Sequence, residues 1–171
     1  ILMRTNMMAR GIERALIDNN IPYTLYNATA LFESREVRLL MALIKLTESP
    51  SETFYLQQVL ETIKMRIGDS SLRSMDKKRE AAGLDWIEFF RNDEKLMERE
   101  RVSEFVIFYD MAKPLMEKGS LCDVAKSWLD NWDLMQFYKK EERESKTERL
   151  LSFFGVLEDY EHDAEMRGVT P

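Results

Sequence analysis

From Ser34 onward the apolar residues of this chain recur at helical spacing, and the polar residues between them supply starts and stops. Val37, Leu40, Met41 and Ile44 form one stripe, and Val102, Phe105, Val106 and Tyr109 form another. Leu150, Phe153, Phe154, Leu157 and Tyr160 make a third near the end. Residues three and four apart share a helix face, so each stripe is a surface that must be buried against another. The chain has six Gly and four Pro in 171 residues, too few to turn a sandwich or barrel. The expected class is a mostly α, multi-helix domain.

The punctuation agrees. Ser34 stands as a cap before the first stripe. Ser49, Pro50 and Glu52 read as a capping box whose helix buries Phe54, Val59, Leu60 and Ile63. Gly68, Asp69 and Ser70 turn the chain into a helix with Leu72 and Met75 inward. Asp85 and Glu88 form another box before Trp86, Phe89 and Phe90. A long helix is expected over 93–112, then one started by Ser120 and Asp123 with Leu121, Val124 and Trp128. Further helices carry Leu134, Phe137 and Tyr138, and then 147–161. The run "KKEERESKTER" reads as a solvated loop and helix start.

The first 26 residues differ. Residues 1–5 and 21–26 read as strands around a helix that Asn6 can cap and Asn19 and Asn20 end. That is too little sheet to stand by itself.

Chemistry is sparse. There is no G-x-x-x-x-G-K-[ST] loop and no G-x-G-x-x-G. One Cys and one His cannot build a usual zinc site. Cys122 fits a small core residue and a reducing compartment, and His162 a place near the last helix's terminal carbonyls. The opening lacks a signal-peptide pattern, and no apolar run approaches a membrane span, so a cytoplasmic location is expected. Net charge is −6, against a generic nucleic-acid binder. Its distribution is uneven, because residues 64–79 hold six cations and two acids, leaving −10 elsewhere.

The run "RTNMMARGIERALIDNNIPYTLY" resembles the segment leading out of the second RecA-like domain in Rep/UvrD/PcrA-type DNA helicases. Arg4, Thr5, Asn6, Ala9, Arg10, Glu13, Leu16, Ile21, Pro22, Tyr23 and Tyr26 carry that match. "LFESREVRLL" is similar to the family's F-x-E-R-x-E-[VI]-[KR]-D, with Ser34 and Leu39 departing from it. "IKMRIGDSSL" is similar to P-x-R-G-I-G-D-x-[TS]-L, with Arg66 where the family has its first glycine. The closing stretch from Phe137 is similar to Y…E-x-R-x-x-N-[LV]-x-x-[LF], with Ser152 at the Asn position.

The resemblance implies a fragment. Residues 1–26 would be part of the motor domain called 2A, and 27–171 the helical 2B-like subdomain. The ATP and Mg sites of the parent helicase would lie outside it, so the fragment would hold no cofactor and be inactive alone. Implied partners are a duplex/single-strand DNA junction, the motor domains of the same chain and regulatory proteins, with no membrane. Arg4 and Asn6 would lie on the single-strand track, although Asn6 also reads simply as a cap. Duplex contact would fall to Lys64, Arg66, Gly68, Ser70, Ser71 and Arg73, with Arg38 and Lys45 as further phosphate candidates. A glycine-containing turn into a helix start offers backbone N–H groups to a phosphate. Arg66 would cost on the order of 1 kcal/mol if the turn demanded positive φ there. The competing reading is a protein-interaction or autoinhibitory module whose acidic surface faces a partner.

Overall fold

The computed structural model describes residues 11–12, 14–17, 19, 21 and 28–168, and among these every regular element is helical. Residues 14–17 are helical, and Asn19 closes that turn through its backbone and side-chain amides, both donating to the Ala15 carbonyl. The strands expected over 1–5 and 21–26 fall outside the described residues except for Ile21. That residue is irregular, and its N–H donates to the Leu16 carbonyl.

The remaining chain forms α1 (Ala28–Glu33), α2 (Arg35–Glu48), α3 (Thr53–Thr62), α4 (Asp69–Ala82) and α5 (Trp86–Arg91). After these come α6 (Glu94–Met97), α7 (Glu100–Glu117), α8 (Leu121–Asn131) and α9 (Arg143–Arg167). Two 3₁₀ turns, Leu134–Phe137 and Lys140–Glu142, join α8 to α9.

α2 is the hub, packed against α3, α7, α8 and α9. Nine of its fourteen residues are buried, which is what a helix covered on several sides requires. Beside it runs an aromatic spine. Phe90 meets Phe105, Phe105 stacks on Trp128 at 5.6 Å, and Trp128 leans on Trp132.

Several caps form as the sequence indicates. Asp85 Oδ1 accepts from Glu88 N at 2.8 Å, while Glu88 Oε2 accepts from Asp85 N at 3.1 Å, a complete capping box. Ser120 Oγ accepts from Asp123 N. Gly83, at φ 67°, closes α4, and the Leu84 N–H returns to the Arg79 carbonyl.

Other expectations are corrected. The box at Ser49–Glu52 does not form: Ser49 ends α2, and Glu52 folds back on it through a turn. The Pro50 carbonyl is engaged instead by the Trp86 N–H, which docks α5 there. Phe54 is 62% exposed, because α3 buries Leu56, Val59 and Ile63, and Phe54 lies two residues round the helix from that face. The helix expected over 93–112 breaks after Met97 and restarts at Glu100. Leu134–Phe137 winds as 3₁₀. α9 starts at Arg143 and runs to Arg167, so His162 is exposed more than one turn before the helix end, and Tyr160 is exposed too.

The charged run that leads into α9 and forms its first turns is only partly solvated. Lys146 is buried, with its ammonium 3.1 Å from Glu36 Oε2 and over the Tyr138 ring. Glu36 is 2% exposed and also accepts from Arg149 Nη1 at 2.8 Å. Burial works to raise its carboxyl pKa, but the hydrogen bonds from Arg149, from its own backbone N–H and from Lys146 together outweigh it, so the group is held below the usual glutamate range. Cys122 is buried as expected. Burial first, then Glu161, pushes its thiol up to about 12.

Candidate nucleic-acid interface

Between α3 and α4 the chain alternates anchors with outward cations. Ile63 and Met65 are buried, at 0% and 1%, while Lys64 and Arg66 are exposed. The Ile63 N–H donates to the Val59 carbonyl, and the Met65 N–H reaches back to the Ile63 carbonyl at 3.0 Å. Two pegs thus hold the turn on the core and leave its charges in water.

Arg66 lies at φ 58°, the left-handed region that costs an L-residue about 1–2 kcal/mol. The position where the helicase pattern has its first glycine is therefore the position whose backbone asks for glycine. Arg99, at the cap of α7, donates from Nη1 to the Arg66 carbonyl at 3.0 Å and ties the turn down. Nothing local in the sequence points to a contact 33 residues away. Arg66→Gly should stabilise the chain by roughly 0.5–1 kcal/mol, the relief exceeding the glycine's extra unfolded-state freedom. Urea unfolding of the two chains measures this, with Arg66→Ala, which keeps the strain, expected to show no gain.

Gly68 caps α4 at φ −91°, an ordinary backbone angle, and a Cβ there would meet nothing within 4 Å. Its value is openness rather than conformational freedom, since no side chain screens the helix start. The first intrahelical bond runs from Leu72 N to the Gly68 carbonyl. The Asp69, Ser70 and Ser71 amides precede it and have no intrahelical acceptor. Ser70 and Ser71 are exposed, and their hydroxyls bond to no other described residue. Arg73 is exposed one turn on, with Nε 3.4 Å from the Asp69 carbonyl.

The remaining candidates divide. Arg38 is exposed on α2, 3.7 Å from Glu61 at the end of α3, and shares a groove with Lys64. Lys45 lies two turns further along α2, roughly 10 Å away. Its ammonium is held above the usual lysine range by its hydrogen bond to Glu48 at 2.9 Å. Arg4 and Asn6 fall outside the described residues. Arg79 leaves the basic island altogether: it is 7% exposed, bonded to Asp76 and to the Leu84 carbonyl, and lies over Trp86. Asp76 also accepts from Thr53, whose hydroxyl in turn accepts from the Trp86 indole. This pair is core structure, and its removal leaves five exposed cations against Asp69, so the island keeps its +4.

The profile of the UvrD-like helicase C-terminal domain family matches residues 1–170. The chain belongs to that family. Among its relatives, the ATP-dependent DNA helicase PcrA of Staphylococcus epidermidis is 21% identical over 174 aligned positions, covering 97% of this chain and 24% of its own length. The PcrA helicase of Staphylococcus aureus is 19% identical over 173 positions with the same coverage. The chain therefore spans about a quarter of the length of the curated relatives it matches. The exposed turn from Lys64 to Arg73 contains the stretch whose sequence resembles the helicase pattern described above, with Arg66 in place of its first glycine. Among the described residues no group of His, Cys, Asp or Glu is arranged to hold a metal ion, and no helix is long and apolar enough to cross a membrane.

Proposed function

We propose that this chain is the accessory, duplex-engaging and regulatory region of an ATP-dependent 3′-to-5′ DNA helicase. In this reading residues 1–26 complete part of the second motor domain and residues 27–171 form its 2B-like insertion. ATP and Mg²⁺ are handled by motor domains elsewhere in the parent. The observation that carries the reading is the pegged turn from Lys64 to Arg73. Exposed cations, uncapped amides and two free-standing hydroxyls converge there at one helix start, in the manner that suits phosphate oxygens. With −10 elsewhere the body repels DNA, so contact is local and salt-sensitive.

A duplex with a 3′ single-stranded tail, followed by fluorescence anisotropy across salt concentrations, tests this. If Lys64, Arg66 and Arg73 meet about three phosphates, the log–log slope should be roughly −2 to −3. The triple alanine variant should flatten the slope and weaken binding to every sequence alike. Asp130→Asn, remote on α8, should leave the curve close to wild type. Asp76 is unsuitable as a control because it belongs to the Arg79–Thr53–Trp86 network.

The protein-interaction reading draws support from a shallow groove between α8 and α9, where Leu129, Leu150, Leu151 and Phe154 lie beside Asp130 and Asp133. Superimposable DNA-binding curves for wild type and the triple variant would favour it.

A further inference from the structure

Two depressions adjoin the cationic turn. One, of about 580 Å³, runs from Lys64 to the start of α4. The other, of about 390 Å³, lies between α2 and α3 and is lined in part by Arg35, Arg38, Gln58, Glu61, Thr62 and Lys64. Glu61 and Lys64 line both, so the two lie side by side. We propose that the α2–α3 groove is a second phosphate seat, taking the neighbouring phosphate of the same DNA strand, with Glu61 as a built-in competitor for it. This rests on the duplex-engaging reading above.

The chemistry of the lining carries the assignment. Three cations face one carboxylate, and the Gln58 amide adds a neutral donor at a half-buried position. Arg35 has no ion pair among the described residues and stands one helical turn before Arg38, so two guanidinium groups flank the groove from one helix. Arginine is suited to planar, two-point contact with phosphate oxygens.

Glu61 is the informative member. Its carboxylate lies 3.7 Å from Arg38 Nη2, with both side chains about half exposed, a screened contact of little strength. A phosphodiester entering the groove exchanges that contact for its own. Glu61 thus occupies Arg38 when the groove is empty and repels the incoming strand. A carboxylate in the wall lowers affinity, and its removal raises it.

The same tailed duplex and salt titration read the outcome. Arg35→Ala should weaken binding several-fold at low salt and reduce the slope by about 0.9, one phosphate's worth. Gln58→Ala should weaken binding without changing the slope. Glu61→Gln, which keeps the side chain's shape, should tighten binding several-fold. Circular dichroism should show all three as helical as wild type. If Arg35→Ala and Glu61→Gln both follow the wild-type curve while the Lys64/Arg66/Arg73 variant loses binding, the second seat is overturned and the first stands. If the triple variant also binds like wild type, the duplex-engaging reading falls and this seat falls with it.

Discussion

Glu36→Ala should destabilise the domain by about 3–5 kcal/mol, the usual consequence of leaving a buried charge without its partner. Lys146 is the charge left behind: its side chain is 11% exposed, and Glu36 is its nearest acid at 3.1 Å, with Glu142 at 3.7 Å. Arg149, 46% exposed, can turn to water. The loss therefore comes mainly from Lys146, and from the tie it makes between α2 and α9, 110 residues apart. Replacing both members together, as Glu36→Leu with Lys146→Met, should recover most of the loss, because a packed apolar pair needs no compensation. The pH dependence has a definite sign. The Glu36 carboxyl titrates lower folded than unfolded, so its contribution is complete above the unfolded glutamate pKa of about 4.3. It is lost as the pH falls through the depressed folded value. Urea unfolding from neutral to acid pH should show wild type losing its advantage over Glu36→Ala in that range.

Trp128→Ala should cost a comparable amount, about 3–5 kcal/mol, as for other buried aromatic truncations. Its ring is fully buried between Phe105 and Trp132, at centroid distances of 5.6 and 5.8 Å. Its Nε1–H donates to Thr47 Oγ1 at 2.9 Å, and Thr47 donates on to the Leu43 carbonyl at 2.8 Å. One side chain thus joins α8, α7 and the hub helix by packing and by a buried polar relay. For a domain of this size the loss corresponds to a melting temperature lower by roughly 6–20 °C. Thr47→Val keeps the shape and orphans the indole N–H, so it should cost about 1–3 kcal/mol. Thermal melts of the two variants separate packing from hydrogen bonding.

How far each feature could be read beforehand depends on the range of the interaction behind it. The Asp85–Glu88 box and the Ser120 cap are three-residue matters, and both form. The stripes through Val102 and Leu150 identify buried faces because helical spacing is local geometry. Phe54 is exposed because the same geometry places it opposite Leu56, Val59 and Ile63. The break near Glu98 and the 3₁₀ turn at Leu134 reflect the packing of α5–α7 and the aromatic spine, which no window of sequence contains. Lys146 reads as a surface lysine because its reason for burial, Glu36, is 110 residues away. In the candidate interface the positive φ of Arg66 was legible through the glycine it replaces. The Arg99 tie and the groove around Arg35 and Gln58 depend on how α2, α3 and α7 come together.

The central claim is that phosphate meets the start of α4, and amide chemical shifts report on that location directly. In ¹⁵N-labelled chain titrated with the tailed duplex at low salt, the largest shifts should fall on residues 64–73. The Asp69, Ser70 and Ser71 amides should move most, and raising the salt should reverse them. Shifts confined to the α8–α9 groove, or none at DNA concentrations that saturate the anisotropy signal, would contradict it.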